Sequence, residues 1–244
     1  MTIVAFAGPS LPAADRLRLR GVDWRPPAEA GDLLRLDVGN SPTLCLIDGY
    51  FDHRPAVRHK EILLLLAEGV RIFGASSIGA LRAAEMREFG MVGVGAIYRA
   101  YARGTIRGDD EVALVHAAAD RDWRPLSIPL VDVRATLCRA RRERILNQSE
   151  ARALLNAARL IHYIERDWSS VVSASGIAEA AAFERWLKSG AVARKRLDAE
   201  ACVRAALEDR PAERERPRLV RTAFLDALAR ECGVDLDSRR AALG

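Results

Sequence analysis

The stretch that decides the fold is V70-R-I-F-G-A-S-S-I-G-A-L-R-A-A-E-M86. An apolar run stops at Gly74, two hydroxyls follow, and small residues at helical spacing come next. That is the pattern of a strand turning tightly into a helix. The same alternation extends outward from it. T2-I-V-A-F-A-G8 and T43-L-C-L-I-D-G49 are apolar strands that end at Gly8-Pro9-Ser10 and Asp48-Gly49. Val22–Trp24 reads as a short strand and Gly31–Leu36 as a helical turn. Pro55 suits the first turn of a helix that Gly69 closes. Strand and helix alternating through short connections predict a parallel sheet with helices on both faces. After residue 133 the pattern turns helical, with segments near 134–146, 150–168, 177–188, 198–209 and 219–231. The expected architecture is α/β: a core over 1–133 and a helical C-terminal region over 134–244.

Composition narrows the function classes. Half of the 244 residues are hydrophobic, enough for a sizeable core. No apolar run is long enough for a membrane span. The first ten residues read as a core strand, not as a signal peptide. Cys45, Cys138, Cys202 and Cys232 are scattered without a CxxC pair, as expected of reduced thiols in a cytoplasmic protein. Net charge is +5, and all but three of the 38 basic residues are arginine. These charges interleave with acids on helical faces, and no basic face carries aromatics, which argues against nucleic acid as the partner.

Three lysines among so many arginines raise a chemical question. Where charge alone is needed, this chain uses arginine. A lysine kept in the apolar N-terminal half is a candidate for what arginine cannot do, namely lose its proton. Lys60 is that residue.

In parallel sheets, ligands collect beyond the carboxyl ends of the strands. Here those ends are Gly8-Pro9-Ser10, Asp48-Gly49-Tyr50 and Gly74-Ala75-Ser76-Ser77. A hydroxyl on a strand–helix turn serves either as a helix cap or as a nucleophile, with the amides of the following helix aimed at an oxyanion. G-A-S-S-I-G is one residue longer than the G-x-S-x-G elbow. Ser76 takes the nucleophile's place by analogy, with Ser77 as the cap; the reverse assignment stays open. Lys60, one turn into the helix after the second strand, is placed to serve as base. Ser10, Asp48 and His59 are candidates to line the crevice, and His53 and His116 carry no Ser-His-Asp order. Neither a Walker-type nor a dinucleotide glycine motif is present, so no cofactor is expected. Asp109, Asp110 and Glu111 read as compensation of a helix dipole and not as a metal site.

Several motifs in one order carry a resemblance: GPSL at 8–11, IDGYF at 47–51, PAVRHKEIL at 55–63, GASSIGALRAAEM at 74–86, FGMVGVGAIY at 89–98 and GDDEVALVH at 108–116. Together they resemble the TfuA-like family across about the first 135 residues. The resemblance implies work beside a YcaO-type cyclodehydratase or thioamidase that installs backbone thioamides in ribosomally made peptides. It implies a ThiS-like sulfur carrier as partner and the precursor peptide as an indirect one. It also implies a Ser–Lys hydrolase that cleaves the carrier's thiocarboxylate and releases sulfide. Carried to this chain, Lys60 becomes the base and Ser76 or Ser77 the nucleophile, with Ser10 third. The alternative is a non-catalytic subunit that docks and activates the YcaO partner. A stand-alone serine hydrolase acting on small esters is a further reading.

Overall fold

The structure, a computed structural model, describes residues 3–37, 43–50, 54–210 and 216–237. Phe51, Asp52 and His53 lie outside the described residues. Five strands form one parallel sheet: β1 (Ile3–Phe6), β2 (Val22–Arg25), β3 (Thr43–Leu46), β4 (Arg71–Gly74) and β5 (Val92–Gly93). Their order is β2-β1-β3-β4-β5. In the register Val4 faces Asp23 of β2 and Leu44 of β3, and Leu46 faces Gly74 of β4. The chain reverses its winding between β1 and β3, so a crevice opens beyond their carboxyl ends.

Side chains alternate across the sheet, and each face has its own cover. Val4, Phe6, Leu44, Leu46 and Ile72 pack under helices α2 (His59–Ala67) and α3 (Ile78–Met86), against Ile62, Leu65, Ala83 and Met86. Ile3, Ala5, Ala7, Cys45, Ile47 and Phe73 face the other way. Their cover includes Ala199, Cys202, Val203 and Ala206 of a late helix, α9 (Arg194–Glu208). The short α1 (Ala13–Arg16) leads to Leu19 in the same layer.

The helical half thus divides its work. Helices α5 (Leu130–Arg142), α6 (Gln148–Leu160), α7 (Trp168–Ser175) and α8 (Ala180–Gly190) build a separate core around Leu137, Leu154, Val171 and Phe183. Helix α9 instead returns to the sheet. α10 (Ala223–Glu231) packs Leu225 and Leu228 on Leu34 and Leu64. α4 (Gly95–Ala102) sits between α3 and α9, and Asp198 of α9 accepts from the Ile97 amide at 2.7 Å. Residue 133 falls inside α5, with the five strands before it and the covering helix α9 after it. The proline-containing segment before it passes directly into α5 at Leu130.

Two expected helices are reshaped by local chemistry. The helix after Pro55 begins only at His59, because Glu61 reaches back to the Arg58 amide at 3.0 Å. The same buried carboxylate accepts from the Gly31 amide at 2.8 Å, tying the segment after β2 to α2. The span expected as one helix over 150–168 breaks after Leu160 and restarts at Trp168, where Asp167 caps α7 through the Ser170 amide.

A fragment of residues 1–133 lacks α9 and exposes Ala5, Cys45 and Ile47 of the sheet. Burial of a side chain such as Val203 contributes about 1.5–3 kcal/mol, a large share of a marginal total. The fragment is expected to show no cooperative denaturant transition and to bind a hydrophobic dye, whereas the full chain unfolds cooperatively.

Candidate active site

The turn after β4 is backbone-strained where the sequence places its two hydroxyls. Ser76 has φ +65°, in the left-handed region that non-glycine residues avoid. The Ser77 amide donates to the Ala75 carbonyl at 2.9 Å, closing a three-residue turn around Ser76. Two glycines make the turn possible. A Cβ on Gly79 would lie 1.8 Å from the Leu46 carbonyl oxygen, and one on Gly74 would lie 2.2 Å from the Gly79 carbonyl oxygen. Helix α3 thus starts in direct backbone contact with the strands.

Both serines are buried, and they face different partners. Ser76 donates to Ser10 Oγ at 2.7 Å, and Ser10 donates to Asp48 Oδ1 at 2.6 Å. Asp48 Oδ2 accepts from the amides of Gly8 at 2.8 Å and Ser10 at 2.9 Å. Asp48 therefore locks the loop after β1 to the end of β3 at the point where the winding reverses. Ser77 occupies the N-cap position of α3, yet its hydroxyl caps nothing. It accepts instead from the ammonium of Lys195, whose Nζ lies 3.2 Å away.

Lys195 comes from the first turn of α9 and is 4% exposed. Its Nζ also donates to the Val112 carbonyl at 2.8 Å and stands 4.0 Å from Asp48 Oδ1. Asp132 of α5 holds this turn in place by accepting from the Lys195 amide at 3.0 Å. Burial lowers the Lys195 pKa from its ordinary value, against the opposing pull of Asp48 and Asp132. Burial also raises Asp132, to about 6, although the Lys195 amide and ammonium favour its charged form. The geometry therefore joins a hydroxyl to an amine that loses its proton more readily than an ordinary lysine.

Ser77, Asp48 and Lys195 open onto a cavity of about 730 Å³. Its walls come from Tyr50 and Arg54 after β3, the 112–116 segment, and the 159–164 connection between α6 and α7, with Arg166 beyond it. His116 lines it through a ring that contacts the Ala117 carbonyl at 2.8 Å.

The remaining candidates stand elsewhere. Lys60 Nζ donates to the Val220 carbonyl at 3.4 Å on the outer side of α2. His59 pairs with Glu85 at 2.8 Å on the surface. The lysine at the serines is Lys195, not Lys60, because α9 and not α2 crosses the sheet edge there. Asp109–Glu111 form one 3₁₀ turn, with Glu111 bound to Arg134 through two hydrogen bonds of 2.8 and 2.6 Å. Among the described residues, no group of three or more His, Cys, Asp or Glu could hold a metal. None of the helices among them is long and apolar enough to cross a membrane.

Lys195 had a signal in the sequence. It lies in phase with Ala199, Cys202 and Ala206, at spacings of four, seven and eleven, so it belongs to the buried stripe of its helix. The flanking Arg194 and Arg196 make the run look like a solvated face.

With this geometry in place, one comparison is decisive. The family model described as TfuA-like protein matches residues 48–167. The chain belongs to the TfuA-like family. No curated protein matches it. The family is the one associated with peptide thioamidation. The matched stretch of this TfuA-like chain contains Asp48, Ser77, Val112 and Arg166 and ends before Lys195.

The depressed lysine sets a sign for stability. Above its lowered pKa and below 10.5 the unfolded chain binds the proton and the folded chain does not. Stability from this group therefore rises with pH across that window, by at most about 1.4 kcal/mol per pH unit. Denaturant unfolding of wild type and Lys195→Met between pH 7 and 9.5 should show this rise in wild type relative to the variant.

Proposed function

We propose that this TfuA-like chain is a hydrolase acting on the thiocarboxylated C-terminus of a ThiS-like carrier protein. It supplies sulfide to a YcaO-type enzyme during backbone thioamidation of a ribosomal peptide. The observation that carries this reading is the 3.2 Å contact between Lys195 Nζ and Ser77 Oγ inside the cavity. The carrier, the YcaO partner and the indirect role of the precursor peptide follow from the family.

Neutral Lys195 takes the Ser77 proton while Val112 keeps its amine oriented. Ser77 Oγ attacks the carbonyl carbon of the thiocarboxylate. The tetrahedral oxyanion lies at the start of α3, where the Ile78 amide and the positive end of the helix favour it. The neighbouring Gly79 and Ala80 amides are already committed to the carbonyls of Ile47 and Ser77. The C–S bond breaks, the proton on Lys195 passes to sulfur, and hydrosulfide leaves. Water then attacks the acyl-serine with Lys195 again as base, giving the carboxylate and free Ser77. Ser76, Ser10 and Asp48 form the supporting chain: they fix the strained turn and hold a carboxylate beside the lysine.

The accessory-subunit reading draws support from apolar side chains at the cavity rim. Leu160 is 88% exposed and Ile164 51% exposed, which suits a docking surface. The two readings separate in one assay. Intact mass spectrometry would follow conversion of a thiocarboxylated carrier to the carboxylate. Lys195→Ala is expected to slow it by about 10²–10⁴-fold, the usual worth of a positioned base, and Ser77→Ala by at least as much. Lys60→Ala should retain wild-type rate. Wild-type kcat/KM should rise with pH to a plateau reached below 10.5, as Lys195 loses its proton. Conversion that is no faster than buffer in wild type, with or without the YcaO partner, would leave the docking role.

A further inference from the structure

Arg166 closes the cavity on the side of the helical half and is 2% exposed. Its Nε donates to the Ala158 carbonyl at 2.9 Å, Nη2 to Ile161 at 3.1 Å and Nη1 to Ile128 at 3.4 Å. Those carbonyls stitch the end of α6 to the segment before α5, and the end of the helix supplies about half a unit of negative charge. A guanidinium has five N–H groups, so three carbonyls do not exhaust it. Among the described residues, no carboxylate lies within ion-pair distance of Arg166. Asp110 and Glu111 are the nearby acids and act on Arg166 through space, and Glu111 is taken by Arg134. Burial lowers the Arg166 pKa, a direction that marks an under-compensated charge.

The other cations around the cavity differ in this respect. Arg54 pairs with Glu29 at 3.0 Å, Lys195 faces Asp48, and Arg159 is exposed. A buried charge without a counter-ion is costly unless something supplies one. We propose that Arg166 is the anion anchor of the cavity, binding a chain end that carries a carboxylate or thiocarboxylate and selecting it over neutral esters and amides. This rests on the reading that the cavity is the substrate site. It also has a chemical use there: a cation beside an anionic acyl group eases the approach of a nucleophile to its carbon.

The test measures binding, so it is independent of turnover. A fluorescein-labelled octapeptide of alanine and glycine is prepared with a free C-terminal carboxylate and as the C-terminal amide. Fluorescence anisotropy at low salt follows both with the full chain. Wild type should bind the carboxylate about tenfold or more tightly than the amide. Arg166→Gln should bring the ratio close to one, and Arg166→Lys, which keeps the charge and loses the fork, should give an intermediate ratio. Arg54→Gln and Arg159→Gln should keep the wild-type ratio. If Arg166→Gln does not fold, the Arg166→Lys ratio decides, with its Tm measured alongside. Equal binding of the two peptides by wild type overturns the proposal. So does an unchanged ratio in folded Arg166→Lys, or loss of the ratio in Lys195→Ala alone. If the hydrolase reading fails, wild type releases sulfur no faster than buffer, yet the carboxylate preference survives; if the anchor fails, the preference is absent while hydrolysis persists.

Discussion

The buried Asp48 carboxylate is the constraint on which the site depends. Its two oxygens take the Gly8 and Ser10 amides and the Ser10 hydroxyl, and the Lys195 ammonium stands 4.0 Å away. One side chain thereby fixes the loop after β1 to the exit of β3, and it faces a lysine brought in by α9. A carboxylate with three donors tolerates burial because its lone pairs are occupied. With those donors in place, Ser10 can accept from Ser76, and Ser76 can remain in a backbone conformation that costs about 1–3 kcal/mol. The strained turn, the hydroxyl chain and the lysine form one network in which each member depends on the carboxylate.

The same economy explains why α9 covers the sheet. The face bearing Ala5, Cys45 and Phe73 needs apolar cover, and Ala199, Cys202 and Val203 supply it with small side chains that allow a close approach. Close approach carries the first turn of α9 to the sheet edge, where Asp132 and Asp198 tie it to α5 and α4. Packing and chemistry are therefore coupled: the helix that completes the core also delivers the buried amine. Its position lies beyond the stretch that matches the TfuA-like family model, so the proposed pair is assembled from two separate parts of the chain.

Much of this was legible in the residues. Apolar strands ending at Gly8, Asp48 and Gly74 announced a parallel sheet with its polar groups at one edge, and the motifs from GPSL to GDDEVALVH pointed to the TfuA-like family. Period-two and period-3.6 patterns are local properties, so they survive in one dimension. The scarcity of lysine is a chemical cue to a residue that can lose its proton. In the N-terminal half it points to Lys60, whereas the lysine beside Ser77 comes from α9. The stripe Lys195, Ala199, Cys202, Ala206 was present in the sequence, masked by neighbouring arginines.

The sequence by itself determined the strand and helix types, the strand–helix turn with its two serines, and the acid at the end of β3. Each follows from side-chain size, backbone freedom and spacing within a few residues. Only the tertiary structure decided that Ser77 meets a lysine 118 positions away, that Ser76 turns to Ser10, and that Arg166 is buried with no carboxylate among the described residues in ion-pair contact. The reason is physical: burial and charge pairing are properties of the packed chain, set by which helix covers which face, and several helices of this chain could have covered that face on pattern alone.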